Sequence, residues 1–231
     1  MIGAVGHAPA MRVFLFLLAV LPAFAAAPDP ASVAILFNKS IPESAKLAET
    51  YRVARNIPVA NLVGLDLPKA DDIDRAEYDS KILTPLRQEF DQRAWWKLGK
   101  NQEGLTLPVE NKIRFLAIMR GVPLRVRNGP AQTPGTNLPK EFAGHNEASV
   151  DSELAGFGIQ GLLLEGPVNN AYFKSDKSIN DANMPFLVMV SRIDADTWQT
   201  CERMLRDAIQ PEKSGLWGRA DIDIANKIKL G

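Results

Sequence analysis

The chain has one cysteine, Cys201, and two histidines among its 231 residues. A single thiol closes no intramolecular disulfide and offers no zinc cluster, so a folded domain of this length must stand on its apolar core. An excess of either charge is missing too: 27 lysines and arginines balance 27 aspartates and glutamates. No long-range field then gathers nucleic acid or an anionic surface, and no nucleic-acid partner is expected. There is no Gly-x-Ser-x-Gly elbow, no glycine-rich phosphate loop, no paired metal-histidine motif and no calcium-loop spacing, so neither a metal nor a cofactor is expected. What is present is ordinary: 46% hydrophobic and 23% charged residues, the make-up of one globular domain with an adequate core.

The amino terminus carries the strongest local signal. Arg12 precedes an apolar run at 13–21, followed by Pro22 and the small-residue stretch Ala23-Phe24-Ala25-Ala26-Ala27. That order is a secretory signal peptide with cleavage near residues 25–27. Even counted from Val13 to Ala27 the run falls short of the roughly 20 residues a crossing helix needs, so no stable membrane anchor is expected after cleavage. Met11 reads as the natural start. The expectation is a secreted or periplasmic protein in which residues 1–27 are removed and 28–231 form a single α/β domain.

The rest of the chain is organised around residues 112–126, KIRFLAIMRGVPLRV. An apolar run without polar alternation suits a strand covered on both faces, as in the middle of a parallel sheet. Gly121 and Pro123 end it, since proline lacks the N–H that a central strand donates. Before it, residues 32–37 read as a buried strand, Ser40-x-x-Glu43 as a capping box, and Leu47, Ala48, Tyr51 and Ala54 as one helix face ending before Pro58. Residues 61–67 read as a second strand. Asp74-x-x-Glu77 reads as a further cap, with a helix that Pro85 kinks or delays. Trp95 and Trp96 are expected at the core edge, and 99–110 as a lead into the central strand. Residues 125–146 are a long irregular connection, either a functional flap or a disordered segment. A short helix at 148–154, a strand at 185–190 and a helix at 196–209 with Trp198, Cys201, Leu205 and Ala208 inward follow. Residues 220–224 alternate like an edge strand. The fold expected is a doubly wound, mostly parallel, three-layer α/β domain, with a further C-terminal portion missing beyond residue 231.

At Arg55-x-Ile57-Pro58, Gly121-Val122-Pro123-Leu124, 148–154 (ASVDSEL) and Arg192-Ile193-Asp194, the chain resembles an uncharacterised family of exported bacterial proteins. Members occur in bacteria that carry exosortase, the membrane system that sorts proteins with PEP-CTERM tails. The resemblance implies an envelope setting linked to surface-protein or exopolysaccharide biology. It implies no activity and no catalytic residues.

Ligands of open α/β sheets gather beyond the carboxyl ends of the strands. There the reading places Asn38 and Lys39, then Arg120 to Pro123, then Ser191 to Asp194. Arg120 and Arg192 have the planar fork that clamps a carboxylate or phosphate, or else they pair with Asp151, Glu153 or Asp194 to hold loops. Asp151 and Glu153, two apart, share a ligand only if the chain there is extended, and with Asp194 they are the candidate acids and bases. Ser149 or Ser152 as a nucleophile needs a base that only His145 supplies. Cys201 lies on an apolar helix face, where it acts as a small hydrophobe. The ligand-binding set is therefore Arg120, Gly121, Asp151, Glu153, Arg192 and Asp194. Two functions stand: a non-catalytic envelope protein binding a peptide or glycan, and a hydrolase using Asp151, Glu153 or Asp194, with or without a cation.

Overall fold

The structure, a computed structural model, describes residues 28–130, 139, 141–162 and 165–215. Its strands in chain order are β1 (Val33–Asn38), β2 (Leu62–Leu65), β3 (Asp72–Ile73), β4 (Trp96–Lys100), β5 (Thr106–Asn111), β6 (Phe115–Met119), β7 (Arg125–Val126), β8 (Ala148–Ser149) and β9 (Met189–Ile193). Its helices are α1 (Pro42–Ala54), α2 (Arg75–Glu77), α3 (Thr84–Gln92), α4 (Val150–Ala155) and α5 (Trp198–Ser214). A π-helical stretch, Tyr78–Leu83, joins α2 to α3.

The fold is α/β. Four parallel strands in the order β2-β1-β6-β9 form the main sheet, with β6 beside β1 and enclosed on both faces. Alternate residues of a strand face opposite sides, and the apolar side chains divide accordingly. Ala34 and Leu36 of β1 with Leu116 and Ile118 of β6 pack against Tyr78, Ile82, Leu86 and Phe90 and against Val150 and Leu154 of α4. Val33 and Ile35 with Ala117 and Met119 pack against Leu47 and Ala48 of α1 and Cys201 and Leu205 of α5. A second, mixed sheet joins β3, β7 and β8, with β3 parallel and β8 antiparallel to β7. Among the described residues no helix is long and apolar enough to cross a membrane.

Several elements differ from the sequence reading. Helix α1 has no side-chain cap: Ile41 holds the N-cap position and Pro42 the first turn. Ser40 instead gives its N–H to the Asn38 side chain at 3.0 Å, so the capping box read at Ser40 and Glu43 does not form. The Asp74–Glu77 box does form, with both reciprocal bonds present. Residues 99–110 are no simple lead-in, because β4 and β5 make an antiparallel hairpin whose first strand starts at Trp96. The fourth sheet strand is Met189–Ile193 rather than 185–190, which places Arg192 within the strand. The signal segment, most of the flap's middle and the strand read at 220–224 lie outside the described residues.

Candidate functional site

Because β1, β6 and β9 run parallel, Asn38, Met119 and Ile193 end on one edge of the sheet. Asn38 sews that edge together. Its side chain is fully buried, and its Nδ2 donates to the carbonyls of Leu67 (3.2 Å), Pro68 (3.3 Å) and Gly121 (2.9 Å). Its Oδ1 accepts from the Leu67 N–H at 3.3 Å. On α1, the Ser44 hydroxyl accepts from the Asn38 N–H at 3.1 Å and donates to the Arg120 carbonyl at 2.6 Å. Loops after three strands are thus fixed by two small polar side chains with their bonds filled, the arrangement that makes a buried polar group tolerable. Gly121 sits at φ +94°, where a Cβ would stand 3.1 Å from Ile41 Cδ1, so the turn after β6 requires glycine.

Over this edge lies a cleft of about 640 Å³, within the usual range for small-ligand sites. Arg120, Gly121 and Asp194 line it together with Lys69, Asp71, Asp196 and Trp198. Arg120 Nη1 donates to Asp194 Oδ1 at 2.7 Å and Nη2 to the Asp196 carbonyl at 3.2 Å. Its guanidinium carbon lies 5.2 Å from the centroid of the Trp198 ring. Asp194 is fixed in turn by the Ala195 N–H at 2.8 Å. Side chains of this ion pair are about a quarter exposed, 28% for Arg120 and 26% for Asp194, so the arginine is held in place yet reachable from solvent.

The remaining predicted residues lie elsewhere. Arg192 turns its fork on Asp151, with Nη2 2.5 Å from Oδ1 and Nε 3.0 Å from both oxygens. It also donates to the carbonyls of Val122 (2.7 Å) and Pro123 (3.0 Å). Segments far apart in sequence, at Val122 and Pro123, at Asp151 and at Arg192 itself, therefore meet here. Glu153 accepts instead from Arg75 at 3.0 Å, and both side chains are nearly enclosed, 10% and 7% exposed. Asp151 and Glu153 occupy one helix two residues apart, and each faces a different arginine, as helical geometry requires. Ser149 caps α4 by accepting from the Ser152 N–H at 3.1 Å, and the two hydroxyls lie 2.9 Å apart. The His145 ring pairs with Glu147 at 2.9 Å rather than with either serine. Cys201 is buried on α5, and burial followed by the nearby Asp194 charge pushes its thiol up. Among the described residues no three His, Cys, Asp or Glu side chains are grouped to hold a metal.

Lys69, Asp71, Asp196 and Trp198 escaped the sequence reading as site residues. Lys69 and Asp71 follow β2, whose carboxyl end shares the rim with the other three strands; extending the edge argument to that loop finds them. Trp198 packs against the apolar cluster, as its inward helix position implies, and as the first residue of α5 it also lines the rim. No family model, no curated protein and no solved structure matches the chain.

Proposed function

We propose that the chain is an exported, envelope-associated binding protein of the exosortase and PEP-CTERM setting, taking a peptide or glycan ligand in the cleft at the carboxyl edge of the sheet. The observation that carries the binding reading is the gathering of Arg120, Gly121 and Asp194 on one cleft beside Trp198. Charges of both signs next to a half-buried indole suit a ligand rich in neutral hydroxyls and amides, which sugars and peptide backbones both present. Export rests on the signal-like order of Arg12, the apolar run at 13–21 and the alanines ending at Ala27. The envelope setting rests on the family resemblance. The reading of the main sheet as doubly wound and three-layered rests on the two apolar clusters that its alternating residues divide between. Hydrolysis is the weaker reading, because Asp151, Glu153 and Asp194 each already accept from an arginine.

The test is calorimetric titration of the secreted chain with soluble cell-wall oligosaccharides and, separately, with unstructured peptides. One class binds saturably, and Arg120→Ala weakens it by roughly tenfold while the fold is retained, the scale of one interface anchor. Equal binding by Arg120→Ala, or product release from either class, overturns the proposal. The mature amino terminus, read by mass spectrometry after expression in an exporting host, begins near Ala27 if the export reading is right.

A further inference from the structure

Asn128 and Gly129 are the only Asn-Gly pair in the chain. In such a pair the following backbone nitrogen reaches the asparagine side-chain carbon with least obstruction, because glycine has no Cβ. Asn128 is exposed just past β7. Asn146, 4% exposed, grips the pair from the other end of the connection. Its N–H donates to Asn128 Oδ1 at 2.9 Å, while its own Oδ1 accepts from the Gly129 N–H at 2.8 Å. Its Nδ2 donates to the carbonyls of Pro130 (3.0 Å) and Gly129 (3.4 Å). Asn146 is itself anchored, since its carbonyl accepts from Arg75 Nη2 at 2.5 Å.

We propose that Asn128 is a site of spontaneous deamidation whose rate Asn146 sets. The Gly129 nitrogen loses its proton and bonds to Asn128 Cγ, the side-chain nitrogen leaves as ammonia, and a five-membered succinimide closes. Water then opens the ring at either carbonyl and leaves aspartate or isoaspartate. No oxidant or reductant takes part. The brake is electrostatic: the Asn146 Oδ1 lone pairs face the nitrogen that must become an anion, and they favour its protonated form. The isoaspartate product adds a methylene to the backbone between the two residues that Asn146 holds, so the grip does not survive the reaction.

Peptide mapping by mass spectrometry, on folded chain kept in warm, mildly alkaline buffer, follows the gain of one mass unit and the new charge at Asn128. Wild-type chain unfolded in urea gives the rate without the grip. Folded wild type reacts well below that rate. Asn146→Ala with native circular dichroism reacts roughly five- to tenfold faster than wild type, the scale of one lost hydrogen bond. Should Asn146→Ala fail to fold, the comparison of folded wild type with wild type in urea decides. A wild-type rate equal to that in urea overturns the proposal. So does a folded Asn146→Ala that reacts at the wild-type rate.

Discussion

At the scale of single residues, two buried polar side chains show opposite economies. Arg192 fills its fork, with a carboxylate and two carbonyls, in a position 11% exposed. Lysine keeps the charge but not the planar donors, so Arg192→Lys leaves buried acceptors without partners. Because Asp151 is one-third exposed, the loss falls below that of a fully enclosed pair, at about 2–3 kcal/mol in urea unfolding. Tyr78 is the contrary case. Its ring is fully buried and its hydroxyl has no hydrogen-bond partner among the described residues, and burial, then the Glu153 charge, pushes the phenol well above the ordinary tyrosine range. Above about pH 10 the unfolded phenol sheds its proton while the folded one keeps it. The folded state then binds more protons, and stability falls as pH rises. Tyr78→Phe is expected to unfold at the same or higher urea concentration at neutral pH, with a gain of up to about 1 kcal/mol, since no bond is lost. It is also expected to flatten the alkaline decline, leaving the shares due to Tyr51 and Cys201, which burial also raises. A wild-type stability that stays level through that pH range contradicts the placement of Tyr78.

Among the elements, α5 carries a prediction of its own. It lies on the sheet through Cys201 and Leu205, and burial with the Asp194 charge keeps the thiol protonated. A thiolate is the reactive form, so a chromogenic thiol reagent is expected to leave native protein unlabelled and to react only along the urea unfolding transition; rapid labelling of native chain means that α5 is not seated. Which elements were legible follows from how their side chains are used. The runs at β1 and β6 announced themselves because both faces are covered, and α1 did so because Leu47, Ala48 and Tyr51 recur on one face. The hairpin of β4 and β5 did not, since Lys97, Gly99, Pro108 and Glu110 break any apolar alternation along a pair that reaches the core only through residues such as Trp96 and Leu98. The edge strand β9 was misplaced for a related reason. The apolar residues 186–188 belong to the approach, where the Val188 N–H bonds to the Ala155 carbonyl, whereas the strand itself includes Ser191 and Arg192. The failed cap at Ser40 records a competition that spacing cannot show: the buried Asn38 amide takes the Ser40 N–H first. At the cleft, Arg120, Gly121 and Asp194 were legible from strand polarity alone, while the partners of Asp151 and Glu153 depended on contacts between elements far apart in sequence.

For the molecule as a whole, the question is whether the two apolar clusters are one cooperative structure. Ala34 and Leu36 face one cluster and Val33 and Ile35 the other, along a single strand. Neither face can lose its helices without exposing the backs of strands that the other face needs, so the sheet couples them. Trp95 and Trp96 belong to the cluster with Phe90, where Phe90 lies 4.9 Å from both indoles, centroid to centroid. Trp198 packs against the opposite cluster. The two faces therefore carry separate fluorescent reporters. A variant keeping only Trp96 and another keeping only Trp198, with phenylalanine at the remaining tryptophans, are expected to show urea transitions that coincide with each other at equal variant stability and with the far-ultraviolet circular dichroism of each. Coincidence of local and global probes is the test of all-or-none unfolding. A chain of 231 residues is long enough for that behaviour to fail, which gives the result its force. If the Trp198 signal is lost first while the Trp96 signal and most of the dichroism persist, α1 and α5 form a separable layer. The strands then hold together without them, and the rim on which Arg120, Asp194 and Trp198 meet opens before the fold does.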